Sequence, residues 1–234
     1  AMAMVGWYTN LGITPLWVLI LINVILFAGL TARMIAASAL ITIAPGPDNL
    51  MVLSVGISRG QRAGIGFGLG CALGCFMHTL WAALGIGAVV MASEATFTVL
   101  KMAGAAYLVY IGVMSWRFAG KATLVKLDDG AAEPITAHLR RGFIANVINP
   151  KVALFFIAFL PQFVDPARGA VWLQMVLLGA LFAAQTVLIF GSLGWFAGGI
   201  GSRLQAQPAL AVWLDRCAGT IFFVLALHLA NATR

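Results

Sequence analysis

With 234 residues, 62% of them hydrophobic and only 9% charged, and a mean hydropathy of +1.00, the chain is not an ordinary soluble domain, whose charged fraction is about 25%. Its apolar runs are long and continuous, without the alternation of an outer-membrane barrel, so the sequence predicts an all-α integral membrane protein. The formal net charge of +7 comes mostly from short loops between apolar runs, so it reports orientation in a membrane and argues for no nucleic-acid partner.

Residues 1–15 carry no side-chain charge, residues 16–30 are apolar apart from Asn23, and the basic start of a signal peptide is missing. A single helix over 16–57 would reach about 63 Å, twice the ~30 Å hydrocarbon core, so the run must turn. Thr31-Ala32-Arg33 is the only polar interruption before Pro45-Gly46-Pro47, and the turn is expected there. Residues 1–33 are then an N-terminal extension, and 16–30 a separate segment that spans, re-enters or lies at the interface.

The first core span covers 34–57 and is broken at Pro45-Gly46-Pro47, since proline has no amide donor and clashes with the preceding turn, while Gly46 adds backbone freedom. In hydrocarbon such a break survives only where protein or a watery cavity satisfies the freed polar groups. Asp48 and Asn49 follow directly. An ionisable side chain at membrane depth is costly and marks a polar site on a pathway.

The second span covers 63–91, where Gly66, Gly70 and Gly74 recur every four residues and form a face for close helix packing. Glu94 marks a loop, 99–116 is the third span, and 117–141 is the one long polar connection. The fourth span, 142–163, is broken again at Asn149-Pro150-Lys151. Residues 171–195 and 213–229 complete the six, separated by a loop with Gly198, Gly201, Arg203 and Pro208.

Loops after the first, third and fifth core spans hold Arg59, Arg62, Arg117, Lys121, Lys126, Arg140, Arg141, Arg203 and Arg216. The other side holds Lys101, Arg168 and Arg234. Basic residues resist translocation, so the first set faces the cytoplasm and the C-terminus lies outside. Three-span halves 34–116 and 142–234, joined by a cytoplasmic loop, are expected to be inverted repeats. Paired breaks at corresponding positions point to the central site of a secondary transporter. Matching Pro47 with Pro150 sets Asp48 against Lys151. Isolated buried charges are expensive, so the two are expected to meet or to share a polar cavity.

Asn49, Asn146 and Asn149 are expected to satisfy freed backbone groups. His78 is a candidate proton carrier, with an ordinary pKa of ~6.5, or else a hydrogen-bonding histidine between helices. Cys71, Cys75 and His78 share a helical face and carry an alternative reading as a soft-metal site, although no fourth ligand accompanies them. The three cysteines (Cys71, Cys75, Cys217) lie in or beside apolar segments and indicate no disulfide framework. Tyr107, Tyr110 and Trp116 read as interfacial anchors. No His-Glu-x-x-His motif or catalytic carboxylate pair is present, which argues against an enzyme, and no cofactor is expected. A non-transporting assembly subunit would explain the glycine faces, but not Asp48 and Lys151.

These residues resemble the lysine exporter (LysE/RhtB) family of bacterial amino-acid exporters. The resemblance is carried by Ala44-Pro45-Gly46-Pro47-Asp48-Asn49, by the spaced glycines between Gly64 and His78, and by Asn149-Pro150-Lys151 with Phe155-Phe156 and Pro161-Gln162-Phe163. It extends from about Ser38 to the C-terminus. Residues 15–40 also look like a span of a major-facilitator drug exporter, so the extension is expected to be a fusion or a wrong start. The family resemblance implies export of amino acids or similar small metabolites across the bacterial cytoplasmic membrane, driven by the proton gradient. Asp48, Asn49, His78, Asn149 and Lys151 are then the expected substrate-binding or coupling residues, around breaks at Pro45, Gly46, Pro47 and Pro150. The expected partners are a small-molecule substrate, protons and the lipid bilayer, with a homodimer among the oligomeric states left open. A single acidic group near the breaks argues against lysine or arginine as substrate.

Overall fold

The computed structural model describes residues 16–92, 94–121 and 133–231, all of them helical or in short connections. The helices are α1 (Leu16–Ile43), α2 (Pro47–Arg59), α3 (Gln61–Ala92), α4 (Glu94–Arg117), α5 (Ile135–Val147), α6 (Pro150–Leu154), α7 (Val171–Trp195), α8 (Ala197–Ala206) and α9 (Pro208–Asn231). After α6 the chain continues through a π-helical turn, Phe155–Phe159, and a 3-10 turn, Leu160–Phe163.

Four helices are long and apolar enough to cross a membrane: Gln61–Gly85, Thr98–Arg117, Val171–Trp195 and Pro208–Asn231. Two bent helix pairs pass the same test together, Thr31–Ile43 with Pro47–Arg59 at 57° and Ile135–Val147 with Pro150–Phe163 at 52°. Counting each pair as one gives six. Both bends fall at the expected prolines. Pro47 and Pro150 each open the second half-helix, where the missing amide costs nothing because a first-turn N–H has no helical partner. Asn149 caps α6 by accepting the Lys151 N–H at 3.0 Å.

Four boundaries differ from the sequence expectation. No turn forms at Thr31-Ala32-Arg33, because α1 runs unbroken from Leu16 to Ile43. That stretch has no proline, and Arg33 points away from the bundle, where a long side chain can reach a polar interface without ending the helix. At 28 residues α1 is about 42 Å long, which tilt or a protruding end accommodates. The connection before the fourth span is shorter than 117–141, since α5 starts at Ile135 behind the N-capping Pro134, so His138, Arg140 and Arg141 sit on its first turns. The stretch 198–206 is helical in α8, and Glu94 opens α4 instead of marking a loop.

The centre of the bundle is α3, which packs most extensively on α7 and α5, while α4 pairs with α9. The spaced glycines are the reason for the close fit to α5: a Cβ at Gly66 would meet Ile135, one at Gly70 the Leu139 carbonyl, and one at Gly74 the Asn146 side chain. These contacts, with Gly64 against Gly194 of α7, gather the start of α3, the start of α5 and the end of α7 at one end of the bundle. Below the two breaks lies an aromatic core in which Phe155 and Phe156 contact the Phe182 ring at 5.1 and 4.9 Å.

Candidate substrate site

The two breaks meet at mid-bundle. Where α1 stops, its last carbonyls have no helical partner. Asn49 Nδ2 donates to the Thr42 carbonyl at 2.8 Å, and Lys151 Nζ donates to the Ala44 carbonyl at 3.0 Å and to Asn49 Oδ1 at 3.5 Å. The ammonium thus crosses from α6 to the negative end of the α1 dipole, a favourable place for a cation. A Cβ on Gly46 would lie 2.7 Å from Lys151 Nζ. The backbone of Gly46 is extended, with φ −173°, so glycine is needed there for space and not for its dihedral freedom.

Asp48 lies in the first turn of α2, at the positive end of that helix. Its Oδ2 accepts a 2.8 Å hydrogen bond from Asn146 Nδ2, in the last turn of α5. Asp48 is 2% exposed and Lys151 7%. They make no direct ion pair; both line one small cavity between the breaks. Thr42 of α1, Cys75 of α3 and Thr186 of α7 also line that cavity, together with Ile41, Phe182 and Phe190. Its space of about 10 Å³ holds about one water, so an amino acid enters only if the walls move apart. A carboxylate and an ammonium across one cavity are complementary to the two ends of a zwitterion.

The remaining predicted residues stand behind this lining. Asn49 and Asn149 serve backbone, as above, and Asn149 Nδ2 is buried without a hydrogen-bond partner. His78 is outside the cavity. Its Nε2 lies 2.9 Å from the Asn146 carbonyl, a contact that requires the proton on Nε2, and its ring stacks on Phe156 at 5.7 Å. Cys71, Cys75 and His78 do not converge on a point: Cys75 Sγ faces the Cys71 carbonyl at 3.4 Å and Asn146 Oδ1 at 3.7 Å. Among the described residues no group of three or more His, Cys, Asp or Glu could hold a metal ion.

Sequence reasoning had given Asn146 only a backbone-satisfying role. Here its amide holds Asp48, its carbonyl holds His78, and its side chain occupies the space left by Gly74. An asparagine in the apolar stretch that follows Arg141, one turn before a proline break, was the available signal. Thr42 and Thr186 carried no comparable signal, since threonines in spans commonly bond their own helix, as Thr186 does to the Phe182 carbonyl at 2.9 Å.

Four apolar crossings and two bent helix pairs, broken around buried groups of opposite charge, define a multi-pass helical membrane protein of the transporter class. Residues 39–233 match the LysE type translocator family, and the chain belongs to that family of bacterial inner-membrane proteins, which are transporters and not enzymes. An uncharacterized membrane protein of Pseudomonas aeruginosa is 29% identical over 227 residues, 96% of this chain and 98% of its own. With 4% of this chain left over, that alignment takes in most of the first 30 residues, so the extension beyond the family match has a counterpart there. A homoserine/homoserine lactone efflux protein of Salmonella typhimurium is 26% identical over 83% of this chain and 93% of its own. A leucine efflux protein of an Enterobacter species is 26% identical over 82% and 90%. No solved structure matches the chain.

Proposed function

We propose that this protein exports neutral amino acids across the bacterial inner membrane, driven by the proton gradient. The observation that carries the reading is the pair Asp48 and Lys151 lining one buried cavity at the junction of two broken spans. The amino group of a substrate would bind Asp48 and its carboxylate Lys151, at the junction of the two broken spans. With one carboxylate at the cavity, a cationic side chain would find no second partner, which favours neutral substrates. The names of relatives that export leucine and homoserine agree with this class.

In this cycle substrate enters from the end of the bundle that carries Arg59 and Arg141, the cytoplasmic side by the positive-inside rule. The substrate ammonium displaces the Asn146 amide from Asp48, and its carboxylate draws Lys151 off the Ala44 carbonyl. Release outside is followed by protonation of Asp48, which removes the buried charge and allows the empty protein to return. Cells fed dipeptides test the reading: efflux of neutral amino acids that stops on adding an uncoupler supports it. Efflux insensitive to the uncoupler removes the proton coupling, and absence of any efflux removes the function.

A further inference from the structure

A second cavity, also of about 10 Å³, shares Ile41 with the first and is lined by residues without polar side chains. Its walls include Leu108 of α4, Phe155 and Phe159 of the π-helical turn, and Leu225 and Leu229 of α9. Ile41 lines both cavities, so one side chain of α1 divides the charged compartment from the apolar one. Both compartments also draw on the same short stretch after Pro150. Lys151 and Val152 face the first, and Leu154 and Phe155 the second. A π-helical turn is uncommon and often sits at a functional site.

We propose that the second cavity is the subsite for an apolar substrate side chain, and that Ile41 is the gate and size filter between the two. This rests on the export reading above. A substrate whose charged ends occupy Asp48 and Lys151 must send its side chain somewhere, and the apolar compartment adjoins. Ile41 is in the last turn of α1, and the free end of that turn is tied down by Lys151 Nζ on the Ala44 carbonyl. When the substrate carboxylate takes over Lys151, that tie is released and Ile41 can swing, merging the compartments. Binding of the charged end thus opens the pocket for the side chain. The substrate class is an aliphatic amino acid of leucine size, with small polar ones accommodated in the first compartment alone.

The test compares efflux of alanine, homoserine, leucine and phenylalanine from dipeptide-fed cells for wild type, Ile41→Ala and Leu225→Phe at matched membrane levels. Ile41→Ala removes the partition, and the phenylalanine-to-leucine preference is expected to rise about tenfold, the usual worth of one or two methylenes in an apolar pocket. Leu225→Phe fills the second cavity from its far wall without touching the first. Leucine efflux is expected to fall about tenfold while alanine and homoserine efflux stay unchanged. Variants that change all four substrates in equal proportion would overturn the subsite and leave the exporter standing. A wild type that exports none of the four would overturn both.

Discussion

Gly46→Ala is the smallest change that reaches the charged centre. The added Cβ would lie 2.7 Å from Lys151 Nζ, 3.3 Å from Cε and 3.6 Å from Cδ. With φ at −173° alanine fits the backbone, so the whole effect falls on the lysine. Its flexible end moves, and the 3.0 Å bond to the Ala44 carbonyl is lost or lengthened. A hydrogen bond to a charged group is worth about 1.5–3 kcal/mol, which is about a ten- to hundredfold change in a rate or affinity. The low end applies, because a lysine relocates more readily than a rigid group. The assay is initial amino-acid efflux at matched membrane levels, in wild type, Gly46→Ala, Lys151→Met and the double variant. About tenfold loss is expected for Gly46→Ala alone, with almost no additional loss in the Lys151→Met background, since coupled residues are non-additive. A Gly46→Ala variant with wild-type efflux would refute the claim that the ammonium's position matters. Full additivity would place the effect somewhere other than Lys151.

Other outcomes follow from the same geometry. Gly74→Val pushes into Asn146, whose Oδ1 would lie 2.7 Å from the new Cβ; efflux should fall to the level of Asn146→Ala, and a variant retaining wild-type efflux would deny that Asn146 orients Asp48. Outside the spans, hydrogen bonding to Arg141 holds the Glu133 carboxyl below its ordinary value of 4.5. A carboxylate with a lowered folded value stabilises above its ordinary pKa, and that stability is lost as pH falls through the lowered value. The melting temperature of detergent-solubilised protein should therefore show a small acid-side decline that Glu133→Gln flattens, and identical acid limbs for the two proteins would contradict the pairing.

The breaks were legible in the sequence because a proline inside an apolar run cannot donate to the turn before it, and Asp48 and Lys151 were legible because charge is expensive in hydrocarbon. Both kinds of signal are local. The turn expected at Thr31-Ala32-Arg33 was misplaced because one basic residue on an outward face does not interrupt a helix, whereas Pro45-Gly46-Pro47 does. Asn146 was visible as a polar residue, but its partners lie on α2 and α3, and no spacing within α5 reveals which group it holds. The apolar compartment behind Ile41 was illegible for a related reason. Leucines and phenylalanines on four elements look the same whether they line a cavity or fill a core, and only their packing distinguishes the two.

The most direct test of the central claim is the efflux of a neutral amino acid in Asp48→Asn. Asparagine keeps the shape and can still bond Asn146, but it cannot offer a carboxylate to a substrate ammonium or carry the returning proton. If Asp48 is the substrate and proton partner, efflux collapses while membrane level and melting temperature hold. Efflux at the wild-type rate, still sensitive to an uncoupler, would contradict the account and move both roles to another residue.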